Sequence, residues 1–255
     1  MKKLAGFIGM ITVLLLWSTC AGDPAVATSR SANMIVVEVP KNGELQVYIK
    51  TADNRAVTIR GSETEILSAA DEGGELDAKV MQRVKARGTK LLFTGAIVEF
   101  DITDNGTVNA LDVSACPKLE VLRCSGNQIK SLDLITNNVL RELYCGNNQI
   151  SALNLKVQKN LAVLHCEGNL LRTLNLTAAK KLTELRCSEN AIQTAEMDAL
   201  LKTLPMRSSE SSAEARIHES NPTENNQMPS ADAIQEAEMK GWKIHVGSDQ
   251  QINEN

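Results

Sequence analysis

Aromatic side chains make up only 3% of the 255 residues, although hydrophobic residues make up 43%. A core built from this chain must therefore consist of aliphatic side chains, mainly Leu, Ile and Val. Charged residues make up 23%, which is typical of a soluble folded protein. The length suits one ordinary domain or two small ones.

Sequence motifs of the common enzyme classes are also missing. No Gly-rich phosphate loop follows a predicted strand, and there is no nucleophile elbow. The three histidines are His165, His218 and His245. His165 could form an acid–base pair with Glu142 or Glu167, but solvated neighbours on an open sheet lack the enclosure that shifts pKa values. We therefore predict a protein that is not an enzyme and that uses no cofactor or metal.

Cysteine is scarce, and the C-x-x-C spacing of a zinc site is absent. Four of the six cysteines recur at one constant interval, at Cys124, Cys145, Cys166 and Cys187. Equivalent cysteines on adjacent parallel strands would lie about 4.8 Å apart and point the same way, a geometry that strains a disulfide. We favour a ladder of reduced cysteines in the core, with disulfides and metal ligation as alternatives. Cys116 lies outside this spacing and has no predicted role.

Long apolar runs occur only near the start of the chain. Lys2 and Lys3 precede an apolar run from Leu4 to Trp17, the pattern of an export signal that is too short to span a bilayer comfortably. The next residues, Ser18-Thr19-Cys20-Ala21, resemble a bacterial lipobox in which Cys20 would carry lipid. We predict a signal peptide over 1–19 and a linker over 20–32, with cleavage after Ala25-Val26-Ala27 as the alternative.

The balance of charge is mildly acidic, with a formal net charge of −4. Removal of the signal would leave 25 basic and 31 acidic side chains, a net charge of −6. This argues against a nucleic-acid partner and against charge-driven binding to anionic membranes. The expected membrane contact is a lipid on Cys20. We predict an exported protein: an outer-membrane lipoprotein that faces the surface or the periplasm, or else a secreted protein.

A repeat with the same interval as the cysteines dominates the middle of the chain. Four copies follow one another without a gap, and each matches at six or seven slots. In the first copy the slots hold Leu119, Leu122, Cys124, Asn127, Ile129, Leu132 and Leu134. A weaker copy with one extra residue runs from Phe100 to Val113. The pattern L-x-x-L-x-C-x-x-N-x-I-x-x-L-x-L is that of a leucine-rich repeat.

Each slot of the repeat has a physical reason. The segment L-x-C predicts a short strand that turns Leu and Cys inward. The Asn falls at the following turn, where its amide can satisfy backbone groups of its own coil and of the next one. A period as short as that from Cys124 to Cys145 leaves little room for a helix on the outer side. We therefore predict a leucine-rich-repeat solenoid over 98–197, made of short parallel β coils with little helix.

The segments that flank the repeats should cover the ends of their core. Residues 33–97 predict a β-rich N-terminal leader, with a hairpin turn at Lys41–Glu44 and strands around Leu45–Ile49, Val57–Ile59 and Lys90–Phe93. Residues 198–246 predict a C-terminal cap of helix plus strand. The cap is expected to contain a short helix over Ala199–Leu204, a mobile loop over 207–230 with a short strand at Ala215–His218, and a disordered tail at 247–255.

A second helix is predicted in the cap, because Ala233, Ile234 and Ala237 would form its apolar face. Ser230 is a predicted N-cap, Gly241 a predicted C-terminal cap, and Trp242–Val246 alternates as a strand.

Residues between the inward-facing Leu and Cys should point outward and form columns roughly 15–20 Å long over four coils. The first column is Arg123, Tyr144, His165 and Arg186. The second is Val121, Glu142, Val163 and Glu184, and the third is Ser125, Gly146, Glu167 and Ser188. Basic and aromatic side chains are favoured at binding hot spots. We predict that Arg123, Tyr144, His165, Arg186, Glu142 and Glu184 bind a protein or glycan partner; the alternative is that these charges only keep the sheet soluble.

The repeat resembles that of the internalin-J-like proteins and of the leucine-rich-repeat lipoproteins of Bacteroidetes. The motifs that carry the resemblance are LRCSGNQI at 122–129, LYCGNNQI at 143–150 and the closing segment EMKGW at 238–242. The resemblance implies a cell-envelope protein used in adhesion, biofilm formation or host contact. A structural envelope protein that associates with itself is the alternative.

Overall fold

A computed structural model describes residues 33–67, 81–208, 212–221 and 223–247. The predicted signal peptide at 1–19, the linker at 20–32 with Cys20, and residues 248–255 of the predicted tail lie outside these residues.

The described residues contain short strands and two helices. The strands are β1 (Met34–Glu38), β2 (Glu44–Thr51), β3 (Val57–Arg60), β4 (Ile66–Leu67), β5 (Gln82–Lys85), β6 (Lys90–Thr94), β7 (Ile97–Asp101), β8 (Ala110–Ala115), β9 (Val121–Arg123), β10 (Glu142–Tyr144), β11 (Val163–His165), β12 (Glu184–Arg186), β13 (Glu214–His218) and β14 (Lys243–Val246). The helices are α1 (Thr194–Thr203) and α2 (Ala231–Met239). Neither is long and apolar enough to reach across a bilayer.

The strands form two sheets. One has the order β4-β3-β6-β1-β8 and is built from the leader and the first weak repeat. The other has the order β14-β13-β12-β11-β10-β9-β7-β2-β5. Within it, β7 and all the strands from β9 to β14 pair in parallel, whereas β2 is antiparallel to both of its neighbours. The leader thus adds strands directly to the sheet of the repeats.

In the leader, the predicted strands at Val57–Ile59 and Lys90–Phe93 are present as β3 and β6. The predicted hairpin at Lys41–Glu44 is wrong. A turn does form, since Gly43 N donates to Pro40 O at 2.9 Å and Asn42 has a φ of +58°. However, β1 pairs with β6 and β8, whereas β2 pairs with β5 and β7. The turn therefore carries the chain from one sheet to the other.

The repeats stack in register. Leu122 pairs with Leu143, Leu143 with Leu164 and Leu164 with Leu185, and all four side chains are buried. The outer segments of the first three coils are irregular and contain turns. In three coils, an Asp or Asn at the middle of their Leu-x-Leu pattern accepts a hydrogen bond from the backbone N–H two residues later, at 2.9–3.2 Å; these residues are Asp133, Asn154 and Asn175.

The repeat asparagines form a buried ladder that ties each coil to the one before it. Asn148 Nδ2 donates to Cys145 O at 3.1 Å within its coil and to Cys124 O at 3.0 Å in the preceding coil. Asn148 Oδ1 accepts from Ile129 N at 3.0 Å, also in the preceding coil. Asn169 and Asn190 make the same set of bonds. The side chain therefore satisfies backbone groups that would otherwise be buried without partners.

The four periodic cysteines lie inside the stack as free, buried thiols. Cys116 is also free and buried, and it occupies a repeat slot that the sequence analysis missed. It lies one full period before Asn137, and the two residues close equivalent turns: Cys116 N donates to Val113 O at 2.9 Å and Asn137 N to Leu134 O at 3.0 Å. Asn137 Nδ2 then donates to Cys116 O at 2.8 Å, so Cys116 belongs to the framework of the first coils.

The C-terminal segment contains a further coil, and the prediction of a mobile loop over 207–230 is wrong for most of the described part of it. β13 pairs in parallel with β12, with Ala215 opposite Leu185. Asn226 continues the ladder: its Nδ2 donates to Cys187 O at 2.8 Å, and its Oδ1 accepts from Ile192 N at 2.9 Å. We call this the hidden coil, because its repeat pattern is not visible in the sequence: Ala215 replaces the usual Leu, and extra residues separate β13 from Asn226.

The helices and the last strand complete this end. α1 begins at Thr194, five residues before the predicted start. Ser230 caps α2 as predicted, accepting from Ala233 N at 3.2 Å, and Gly241 has the positive φ, +84°, that suits the end of a helix. Trp242 is buried and its indole donates to Pro205 O at 2.8 Å. β14 follows and pairs with β13.

The core is continuous from the leader to the last strand. The described residues belong to one compact unit, and the buried hydrophobic cluster within them runs from Ile35 to Trp242. Phe93 of the first sheet meets Phe100 of the second edge to face, with ring centroids 5.3 Å apart. A chain that starts after Cys20 therefore contains all of this core.

Candidate functional site

The outward residues of the parallel strands form a row across one face of the sheet, the face that is concave in a leucine-rich-repeat solenoid. We call Arg123, Tyr144, His165 and Arg186 the central column. They lie side by side because their strands pair in register. The sequence predicted these four neighbours from the period alone.

The row is longer than the sequence analysis predicted. Asp101 and then Tyr48 continue the central column at one end, and Arg216 and His245 continue it at the other. Asp101 could have been found, since it follows Phe100 as Arg123 follows Leu122. Arg216 could not be found from the repeat pattern, because the residue before it is Ala215 and not the usual Leu.

The second column does not expose all of its members. Glu142 and Glu184 are half-buried, as is Val163, but Val121 is only 8% exposed, and its predicted exposure is wrong. Val121 lies between Glu99 and Glu142 in the sheet. Both glutamates extend to Arg123, two residues further along the strand of Val121.

The third column is also not an exposed stripe. Gly146 and Ser188 are buried, whereas Ser125 and Glu167 are half-buried. The Glu167 side chain lies over Gly146, where a Cβ atom would come within 2.6 Å of Glu167 Oε1.

A network of charges holds the first half of the central column. Arg123 Nη1 lies 2.5 Å from Glu99 Oε1, and its Nη2 lies 2.9 Å from Glu142 Oε2. The Arg123 guanidinium stacks 4.6 Å from the centre of the Tyr144 ring, and Tyr144 OH donates to Glu142 Oε2 at 3.2 Å. Burial, together with the charge of Glu142, raises the pKa of Tyr144. The phenol therefore stays neutral, as a hydrogen-bond donor.

A second network holds the other half of the column. His165 Nε2 lies 2.7 Å from Glu184 Oε1, and Arg186 Nη2 lies 3.1 Å from the same oxygen. Tyr144 and His165 meet edge to face, with ring centroids 4.7 Å apart, which joins the two networks. The side chain of Arg186 is 41% exposed, against 22% for Arg123 and 13% for His165. Arg186 is thus the most accessible of these three.

Part of the repeat region matches a known family. A family model described as Leucine Rich repeats (2 copies) matches residues 117–157. The chain contains leucine-rich repeats. The matched residues include β9 and β10, the first two strands of the central column.

Among solved structures, the chain is similar to three proteins of Listeria monocytogenes. The functional domain of InlJ, described as including a cysteine ladder, is 25% identical, with 52% of this chain and 32% of that chain covered and a TM-score of 0.36. An internalin, InlF, is 19% identical, with 55% and 40% covered and a TM-score of 0.41. Internalin C2 is 14% identical, with 59% and 81% covered and a TM-score of 0.36.

The match spans about one third of the length of the InlJ domain and two fifths of that of InlF. No curated protein matches the sequence.

The leucine-rich-repeat sheet also borders a shallow polar cavity of about 350 Å³ at the carboxyl ends of its strands. It is lined by Asn147, Glu167, Arg186, Ser188, Glu189, Arg216, Glu219 and Asn221. Arg186 belongs both to this cavity and to the central column. The cavity could not be predicted from the sequence, because Arg216, Glu219 and Asn221 in its wall belong to the hidden coil.

The side chains of this face are charged, polar and aromatic. Within the described part of the chain, no group of three or more His, Cys, Asp and Glu side chains is placed to hold a metal ion. The acids and bases of the central column pair with one another across an open sheet. Such a surface can offer charge, hydrogen bonds and one aromatic edge to a partner.

Proposed function

We propose that this chain is a non-catalytic protein of the cell envelope that binds a partner protein through the concave face of its leucine-rich repeats, in adhesion, biofilm formation or host contact. The observation that carries the proposal is the central column, in which two arginines, a tyrosine and a histidine lie in one row with Glu142 and Glu184 beside them. Arg and Tyr are enriched at the hot spots of protein interfaces.

The internal pairing of the column supports binding because it fixes the side chains before a partner arrives. Glu142 holds both Arg123 and Tyr144, and Glu184 holds both His165 and Arg186. Side chains that are already ordered lose less conformational entropy on association. The surface presents both signs of charge, so the partner is expected to carry a complementary mixture of charges.

The location is part of the proposal. The lipobox-like segment around Cys20 supports an outer-membrane lipoprotein, and Cys20 is the proposed lipidation site. Protease treatment of intact cells, followed by detection of the C-terminus, distinguishes the surface from the periplasm. Incorporation of labelled fatty acid that is lost on Cys20→Ser tests the anchor.

We expect the double change Tyr144→Ala and His165→Ala to weaken partner binding by at least about tenfold, since hot-spot residues contribute about 2 kcal/mol or more. The change removes the aromatic contact at the centre of the row. Binding is measured by capture of cell-surface proteins on the immobilised chain from Ala21 onward, followed by titration of the captured protein. Capture of a glycan and no protein would change the class of partner.

The matched control is Gln149→Ala with Gln128→Ala, two exposed residues away from the concave face. Circular dichroism melting shows whether both double variants keep the fold. Equal affinity of the column variant and the control for the partner would contradict the role of the column.

The second candidate is self-association through the end of the repeat sheet. β14 is the last strand in the sheet order, and an edge strand can pair with another chain. Sedimentation of the purified protein separates the two candidates, because concentration-dependent assembly favours this one and a monomer that captures a foreign protein favours the first.

A further inference from the structure

We propose that the C-terminal end of the repeat stack binds the surface of an anionic phospholipid membrane. The contact is a patch of four exposed lysines around two exposed methionines, which we call the cap patch: Lys159, Lys180, Lys181, Lys202, Met206 and Met239. This site lies away from the concave face and is independent of the function proposed above.

Hydrogen bonds place the lysine side of the patch on one flank of the stack. Lys181 Nζ donates to Asn160 Oδ1 at 2.8 Å, which brings it beside Lys159 of the preceding coil. Arg207 donates from Nη2 to Lys180 O at 2.7 Å and from Nε to Leu182 O at 2.8 Å. The segment that carries Met206 therefore runs directly beside Lys180 and Lys181.

A second set of bonds brings in the other methionine. Arg207 N donates to Lys240 O at 2.7 Å, so the segments that hold Met206 and Met239 are neighbours. Lys240 Nζ donates to Lys202 O at 3.0 Å and pairs with Glu236 Oε1 at 3.0 Å. The residues of the cap patch thus lie on adjoining segments: Lys159 precedes β11, Lys180 and Lys181 precede β12, Lys202 lies in α1, and Met206 and Met239 lie on the segments joined by Arg207 and Lys240.

The two methionines are unusually exposed for apolar side chains. Met206 is 69% exposed and Met239 is 71% exposed, while two residues close to them in sequence, Pro205 and Trp242, are packed into the core. Flexible thioether side chains of this kind can enter the boundary between headgroups and acyl chains. Lysine stems can lie along the same apolar layer while their ammonium groups reach the lipid phosphates.

The distribution of charge favours an anionic surface. None of the four patch lysines pairs with a carboxylate of the described residues. Glu236 is held by Lys240, and Glu238 is an exposed acid next to Met239 in sequence. The opposite flank, at the carboxyl ends of the strands, carries acids as well as bases: Glu167, Glu189 and Glu219 lie there beside Arg186 and Arg216. The net charge of −4 is a sum over the whole chain, so it does not reveal a local basic patch.

A membrane fits these observations better than a soluble polyanion does. A soluble polyanion would bind the lysines and leave the two methionines in water. A bilayer binds both, because its phosphates contact the lysines and its acyl chains contact the methionines. Basic residues around an apolar group are the usual composition of surfaces that lie on anionic membranes.

The test is co-sedimentation of the chain from Ala21 onward with vesicles of pure phosphatidylcholine and with vesicles that also contain phosphatidylglycerol. We expect binding to the anionic vesicles only, with a loss at high salt. Lys180→Glu with Lys181→Glu should reduce binding by at least about tenfold. Met206→Ser with Met239→Ser should reduce it by a similar factor, because the apolar contact is lost.

Two matched controls keep the result specific. Lys130→Glu with Arg172→Glu makes the same change of charge at exposed residues elsewhere, and Met228→Ser removes an exposed methionine elsewhere. Both should bind as the parent chain does. The proposal is overturned by absence of binding, by equal binding to neutral vesicles, by equal losses in the controls, or by methionine variants that bind normally. Lysine-dependent binding to dextran sulfate without binding to vesicles would also overturn it, in favour of a polyanion.

Discussion

Asn148→Ala should lower the free energy of unfolding by about 3–5 kcal/mol, since it breaks a buried hydrogen-bond network. Asn148 Nδ2 donates to three backbone oxygens, those of Cys124, Cys145 and Gly146, at 3.0–3.1 Å. Its Oδ1 accepts from Ile129 N at 3.0 Å. Alanine would leave these groups buried without that partner, and a cavity as well.

Denaturant unfolding of the chain from Ala21 onward measures this loss. Asn148→Asp keeps the shape but places a second oxygen where the amide donates, so it should be at least as damaging. Gln149→Ala changes the exposed neighbour and should shift the free energy of unfolding by less than about 0.5 kcal/mol. A loss below about 1 kcal/mol in Asn148→Ala would show that the ladder does not stabilise the stack.

The second large effect is a steep loss of stability at alkaline pH. Burial raises the pKa of Cys124 to about 12 and that of Cys116 to about 11. Burial likewise raises the pKa of Cys145, Cys166 and Cys187. An unfolded thiol ionises at a pKa of about 8.5. The neutral thiols contribute their full stability below that pH and lose it as the pH rises toward the folded values.

The size of the effect follows from linkage. At about pH 10 each thiol that stays neutral in the folded protein lowers the free energy of unfolding by about 2 kcal/mol. Five such thiols together are enough to unfold an ordinary domain, whose stability is about 5–15 kcal/mol. Melting curves between pH 8 and 11 measure the loss, and Cys145→Ala should reduce its slope by the share of one thiol.

Thiol labelling gives an independent measurement of the same burial. In the native chain from Ala21 onward at about pH 8, none of the five thiols should react with an aromatic disulfide reagent, and all five should react after unfolding in denaturant. Rapid labelling of the native protein would show that the cysteine ladder is open to solvent or opens locally.

The repeats could be predicted from the sequence because their period is local and regular. Each coil needs only its own Leu, Cys and Asn in order, so their constant spacing reveals both the strands and the central column. The hidden coil has the same geometry, but Ala215 and Ile217 stand in for Leu and Cys. A pattern search weighs side-chain identity, whereas the stack requires only that the side chain fits inside.

Strand pairing in the leader could not be predicted in this way. The turn at Lys41–Glu44 is encoded locally and does form, but the partners of β1 and β2 come from residues 82–115. The exposure of residues in the predicted site also depends on neighbours that are distant in sequence. Val121 is buried although it occupies an outward slot, and its partners across the sheet, Glu99 and Glu142, come from other coils and are distant in sequence.

The hidden coil shows where this architecture tolerates change. Asn190 follows Cys187 at the third position, whereas Asn226 follows Ile217 only at the ninth, and both asparagines hold the strand before them by the same type of bond. Six additional residues between the strand and its asparagine therefore leave this hydrogen bond of the ladder in place. New peptide can be grafted between a strand and its asparagine, so the rim beside the central column is a place where specificity can diversify while the framework stays constant.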